Sequence, residues 1–299
     1  MKASNKTVAT KIVQYVCIGL ITIINYFLLW FLFSIFFGDT ITTYIVTGIV
    51  LAAFMALTFT TVIDKVLVFF KHAKKYEHLE EHEKPLATLD QDYEAFLQVV
   101  NTTSKEMGIP TPQVYIMTND FPNISFLNPR VLVVTPTFLS SFSTDQQKAA
   151  LLHEIYHVKN GDVQLLALAD MANTFGTIVT WVFTFVLGIL GVSSAVNAVF
   201  DKESRQNNIA ILLVAWILKG ILSLLNWMLR MFTLGISRSS EYLADEFVAT
   251  AGYKDALIEY LQKMSAINPK LYSGYPVEMW KKHPATKKRI EHLNVLNAA

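Results

Sequence analysis

The sequence predicts a mostly helical α+β protein: several membrane-spanning helices carrying a soluble domain that contains a small β-sheet. Three observations lead there. Of the 299 residues 53% are hydrophobic and only 16% charged, which is too apolar for an ordinary soluble domain of this length. The apolar residues are concentrated in long, nearly uncharged runs. Between and after those runs lie helical periodicities and two short β-rich stretches. The net charge of +1 offers no basic face for nucleic acid. The single cysteine, Cys17, can build neither a disulfide framework nor a cysteine metal site.

Four apolar segments are compared with the roughly 20 residues a helix needs to cross the hydrocarbon core. Ile12 to Phe37 and Thr40 to Ile63 form the first two. A third, Met171 to Phe200, is long enough to span with tilt or to include a turn near Gly188 and Gly191. Ile209 to Leu229 is weaker, because Lys219 near its middle costs roughly 2.5–3.5 kcal/mol on insertion unless it snorkels or faces protein. A shallow hairpin is the competing picture for it. Lys2, Lys6 and Lys11 precede an apolar run that is too long for a signal peptide and lacks a small-residue cleavage site, so a retained anchor is expected. Lys65, Lys71, Lys74 and Lys75 follow the second segment, whereas the loop between the first two offers only Asp39. That bias predicts a multi-pass protein of the cell membrane with both ends of the hairpin, and the soluble part, on the cytoplasmic side.

The expected organisation is a transmembrane hairpin over 1–70, a first part of the soluble domain over 71–163, a second membrane pair over 164–234, and a second soluble part over 235–299. His72 to Lys84 is a charged juxtamembrane stretch. Asp90 to Met107 has helical periodicity, broken by Gly108 to Pro112. Gln113 to Met117 and Val131 to Thr135 are the β-rich runs. Ser239 to Ala251, stopped by Gly252, and Lys254 to Ile267 read as helices.

The chemistry is concentrated in His153-Glu154-Ile155-Tyr156-His157. On a helix the four-residue spacing puts both imidazoles on one face, where they can grip one zinc ion while Glu154 handles protons. With 7 His in the chain, a chance match is on the order of one in a hundred. Thr144 to Gln147 reads as a capping box opening this helix and Asn160-Gly161 as its stop. A tetrahedral zinc needs a third protein ligand, and Glu241 is the candidate. Asp245, four residues on, shares its face and can accept the free ring N–H of a ligand histidine. Alone, that acid pair would be an ordinary solvated helix face. His78-Leu79-Glu80-Glu81-His82 has the histidine spacing but Leu79 in place of the base, and reads as a solvated stretch among acids.

Taken in order, the two N-terminal apolar spans, His153 to His157 with Asn160-Gly161-Asp162, two further apolar segments, Ser237-Arg238 with Glu241-Tyr242 and Ala244-Asp245, and His283-Pro284 with Arg289-Ile290 make the chain resemble the HtpX-like integral-membrane zinc metalloproteases, relatives of the CAAX prenyl proteases. The resemblance covers nearly the whole chain. It implies a zincin-type catalytic domain holding one zinc per chain. By it His153, His157 and Glu241 are zinc ligands, Glu154 is the general base, Asp245 stands behind a ligand, and His283 and Arg289 face the active site. His283 or Tyr242 is then available to donate to a developing oxyanion. Pro122 to Phe126 keeps the family's Pro-Asn pair but carries Ile124 and Ser125 where smaller apolar residues are common, in what would be the substrate-binding edge strand. The implied function is a zinc endopeptidase acting on membrane or membrane-associated proteins from the cytoplasmic side in membrane protein quality control. The alternatives are a CAAX-type prenyl-protein protease, a non-enzymatic membrane scaffold or sensor with the same fold, and, remotely, a transporter.

Overall fold

The computed structural model describes residues 5–79, 89–118, 121–200, 220, 240–267 and 285–296. The mostly helical α+β architecture expected from the sequence is present: the described residues form α-helices and one four-stranded sheet. The chain divides into two compact units. One comprises Met1–Thr7, Phe59–Ala167 and Leu234–Ala299; the other comprises Val8–Thr58 and Leu168–Thr233.

The second unit is built from α1 (Asn5–Phe37), α2 (Ile41–Ala56) and the continuation of a long later helix. Thr40, in an extended conformation, caps α2 by accepting a hydrogen bond from the Thr43 amide. Lys11–Ser34, Ile41–Phe59 and Asp162–Val186 are each long and apolar enough to cross a membrane. Of the fourth expected segment, Ile209 to Leu229, only Gly220, which is helical, is among the described residues. Leu29, Leu32, Leu51, Phe175 and Val179 pack together in this unit. A buried polar contact sits beside them: Asn25 of α1 donates from Nδ2 to the Ala172 carbonyl at 2.7 Å. It is accommodated because Gly176 has no Cβ, which would stand 2.5 Å from Asn25 Oδ1.

The other unit begins where the second apolar segment breaks. The sequence suggests one run to Ile63, but α2 gives way to a single 3₁₀ turn at Leu57–Phe59 and a new helix, α3 (Thr61–Phe70), starts after an extended Thr60. The reason is tertiary. Arg130 donates through Nη2 to the Thr60 carbonyl at 2.9 Å and through Nε and Nη2 to the Asp64 carboxylate at 2.8 and 2.7 Å. Asn128 also donates to Asp64. His72, at φ 50°, turns the chain out of α3.

The sheet runs β1 (Ala73–Lys74), β2 (Gln113–Met117), β4 (Val131–Val134), β3 (Ile124–Asn128) in spatial order, with β2 and β4 parallel and the outer pairs antiparallel. Strand β4 is buried on both faces, and β3 alternates buried Ile124, Phe126 and Asn128 with half-buried Ser125 and Leu127. One side of the sheet packs on Phe96 and Val100 of α4 (Leu89–Met107), Phe138 of α5 (Pro136–Ser141), and Leu151 and Ile155 of α6 (Thr144–Lys159). The opposite face of α6 offers Ala149 and Leu152 to Val248, Leu257, Leu261 and Leu293. These belong to α8 (240–250), α9 (Lys254–Ile267) and α10 (Thr286–Val295). Helix α6 is therefore packed on two faces, and α7 (Asp162–Phe200) follows it without a turn at Gly188 or Gly191.

The Asn25 contact yields a test in the membrane unit. Gly176→Ala is expected to cost about 0.5–2 kcal/mol of stability in detergent, and little in an Asn25→Ala background, because only the carboxamide occupies that space. Equal costs in both backgrounds, measured by thermal unfolding, would remove the contact as the cause.

Candidate metal centre

Helix α6 is delivered by a capping box one residue earlier than the sequence suggests. Ser143 rather than Thr144 is the N-cap, its Oγ accepting from the Gln146 amide at 3.4 Å while Gln146 Oε1 accepts from the Ser143 amide at 3.2 Å. Gln147, the alternative partner, is instead turned to the end of α5, where its Nε2 donates to the Leu139 and Phe142 carbonyls at 2.8 and 3.0 Å. Three turns later His153 and His157 emerge one above the other, and α6 ends at Asn160 with Gly161 in the left-handed region at φ 77°.

The structure brings the two imidazoles to Glu241 of α8. His153 Nε2 and His157 Nε2 lie 3.3 Å apart. Glu241 Oε2 is 3.3 Å from the first and Oε1 is 3.3 Å from the second. All three side chains are largely buried. Each ring is held from behind by a carboxylate. His153 Nδ1 lies 3.0 Å from Asp245 Oδ1, and His157 Nδ1 lies 3.0 Å from Asp162 Oδ2. A carboxylate only accepts, so each ring carries its proton on Nδ1 and turns the Nε2 lone pair inward. Two inward lone pairs and a carboxylate at such distances repel one another unless a cation stands among them.

The donor set fits zinc. Ligands at about 2.0–2.1 Å from a tetrahedral ion stand about 3.3 Å from one another, which matches the three separations observed. The surrounding charge agrees. Burial opposes protonation of His157, yet its contacts with Asp162 and Glu241 push its pKa up to about 10. His153 is raised as well, against both burial and the neighbouring Arg289 charge, by Asp245 and Glu241. Asp162, Asp245 and Glu241 thus surround the two rings with negative charge that a cation would balance.

Arg289 of α10 supplies the counter-charge to Asp245, which is fully buried. Its Nη2 and Nε donate to the two Asp245 oxygens at 2.6 and 2.8 Å, and its Nη1 stands 3.6 Å from Glu241. Burial would raise the Asp245 pKa, but the guanidinium and the two-point hydrogen bond hold it at about 2. Glu154, the expected base, sits half-buried on α6 between the two histidines and contributes to the field on His157. Tyr242 packs its ring edge-on against His292. His283 lies outside the described residues.

The role of Asp162 was not legible from spacing. It falls five residues after His157, beyond the helix stop, and reaches back only because Gly161 reverses the backbone; Asn160 Nδ2 donates to it at 2.8 Å and Ser240 Oγ donates to its other oxygen. The sequence signal available was its place in the Asn160-Gly161-Asp162 run.

Residues 91–297 match the model of peptidase family M48. The chain is 34% identical over 188 residues to Protease HtpX of Pseudomonas putida strain GB-1, a match covering 61% of this chain and 58% of that relative, less than two thirds of its length. It is 30% identical over 257 residues to a Protease HtpX homolog of Thermococcus sibiricus, covering 77% of this chain and 79% of the relative. A Protease HtpX homolog of Dictyoglomus turgidum is 26% identical over 269 residues. Among solved structures, the crystal structure of S. mikatae Ste24p is similar in fold, with a TM-score of 0.54 at 18% identity over 97% of this chain and 66% of that one.

Two substitutions separate holding the rings from holding the fold. Asp162→Ala is expected to lower metal affinity about 10–100-fold in chelator competition, with the fold retained. Arg289→Ala is expected to destabilise the protein by about 3–5 kcal/mol because Asp245 is left buried and uncompensated, and Arg289→Lys to recover only part of that, since it cannot make the two-point contact.

Proposed function

The chain belongs to peptidase family M48, and from that premise we propose that it is a membrane-embedded zinc endopeptidase. It would hydrolyse peptide bonds of membrane or membrane-associated proteins on the cytoplasmic side, in membrane protein quality control. The observation that carries the reading is the triangle of His153, His157 and Glu241 donor atoms at 3.3 Å separations, with Glu154 on the same helix as the two imidazoles.

When bound, zinc supplies a Lewis acid that polarises the scissile carbonyl and lowers the pKa of water to about 7. Glu154 takes the attacking water's proton and passes it to the leaving amine. Asp245 and Asp162 keep the two rings in one tautomer and one orientation, so the donors do not have to reorganise during turnover. Strand β3 lies at a sheet edge and pairs with β4 alone among the described strands. A peptide can add there through main-chain hydrogen bonds, which favours broad sequence preference. His283 or Tyr242 would donate to the developing oxyanion in this scheme.

The membrane setting is supported by the three helices of spanning length and by the curated relatives, which are named as HtpX proteases. Lys65, Lys71, Lys74 and Lys75 after the second span, against Asp39 alone in the preceding loop, support the cytoplasmic side. An intact Glu154 favours an enzyme over a scaffold, which has no physical need of a base beside the metal.

The purified chain in detergent is expected to contain about one zinc, to lose cleavage of a membrane-protein substrate on chelation and to regain it with zinc. Glu154→Gln is expected to lose about 10²–10⁴-fold in rate while keeping its zinc. Equal cleavage by wild type and Glu154→Gln would remove the proposed base from the mechanism.

A further inference from the structure

Helix α3 has its faces distributed in a way the membrane spans and the metal centre do not explain. Ile63 is buried, Asp64 and Leu67 are half-buried, and Val68 packs against Ala73, Val131 and Val133. That side is fixed to the β3–β4 turn through the Asp64–Arg130 pair. The side turned away carries no polar stripe. Val62, Val66 and Phe69, at spacings of four and three, are 56%, 38% and 73% exposed, and Phe59 just before the helix is 63% exposed. A helix packed on a soluble domain normally shows charge on this face. Exposed Lys65 flanks the stripe, and exposed Lys71 follows it.

We infer that α3 is an interfacial helix, whose Val62, Val66 and Phe69 face lies in the headgroup layer of an anionic bilayer with Lys65 and Lys71 on the lipid phosphates. Two features select this occupant. Thr60 alone separates α3 in sequence from the candidate span Ile41–Phe59, so a chain that leaves the bilayer at Phe59 keeps α3 within one residue of the lipid surface. The basic flank has the sign that anionic headgroups attract. The inference rests on the membrane reading given above. Its consequence is that Asp64 ties the turn next to the edge strand β3 to a helix seated on the lipid surface, which would place that edge where segments of membrane substrates emerge.

The test uses the full-length Cys17→Ser chain in vesicles of phosphatidylcholine with about one third phosphatidylglycerol. Spin labels are placed on single cysteines at positions 62, 66 and 69, with references at Thr102, exposed on α4, and Ile49, exposed in the second span. The expected result is nickel-complex accessibility about fivefold or more below the Thr102 label with oxygen accessibility above it, and a return toward the Thr102 value when phosphatidylglycerol is omitted. Aqueous readings at all three positions with a lipid reading at Ile49 overturn this inference and leave the membrane assignment standing. An aqueous Ile49 overturns both. Labels shielded from nickel and oxygen and broadened by one another mean that a second copy covers the stripe, and unchanged accessibility without phosphatidylglycerol removes the anionic partner; either result overturns the proposal.

Discussion

Everything at the metal centre depends on one charge balance: Asp245, fully buried, is tolerated because Arg289 meets both of its oxygens. A buried carboxylate without such a partner would take up a proton and cease to orient anything. Ionised, it accepts from His153 Nδ1 and turns the opposite nitrogen toward Glu241 and His157. The pair also ties together three elements distant in sequence, because the imidazole comes from α6, the carboxylate from α8 and the guanidinium from α10. The aliphatic packing of Ala149, Leu152, Val248, Leu257 and Leu293 supplies the dry surroundings in which that pairing is strong.

Much of this was legible in the sequence, and for identifiable reasons. Long uncharged runs leave few alternatives to membrane helices, so three of the four expected apolar segments correspond to helices of spanning length. The His153 to His157 spacing has a direct geometric meaning once α6 is a helix, and the same holds for Glu241 and Asp245 on α8. What was not legible depended on partners far along the chain. Strand β1 is two residues long and exists only by pairing with β2. The break at Thr60 is decided by Arg130, 70 residues away. The capping box was ambiguous because Gln146 and Gln147 each stand three residues after a hydroxyl residue; the second was claimed by α5.

Asp162 joins the two kinds of case. Its carboxylate faces His157 only through the reversed backbone at Gly161, so no periodicity would find it, yet it opens the apolar helix that continues to Phe200. The chain thus passes from a residue holding a metal-site imidazole directly into a candidate membrane span. Ser240, also donating to Asp162, brings α8 to the same carboxylate. Each of the two histidines is in this way positioned by a residue outside its own helix.

The central claim is that one zinc is held jointly by α6 and α8. Zinc K-edge X-ray absorption on the purified full-length chain tests it most directly. The account predicts two imidazole nitrogens and carboxylate oxygen at about 2.0–2.2 Å, with one imidazole lost in His157→Ala and the carboxylate lost in Glu241→Ala. A zinc shell unchanged by Glu241→Ala, or zinc retained with both imidazoles in His157→Ala, would contradict it.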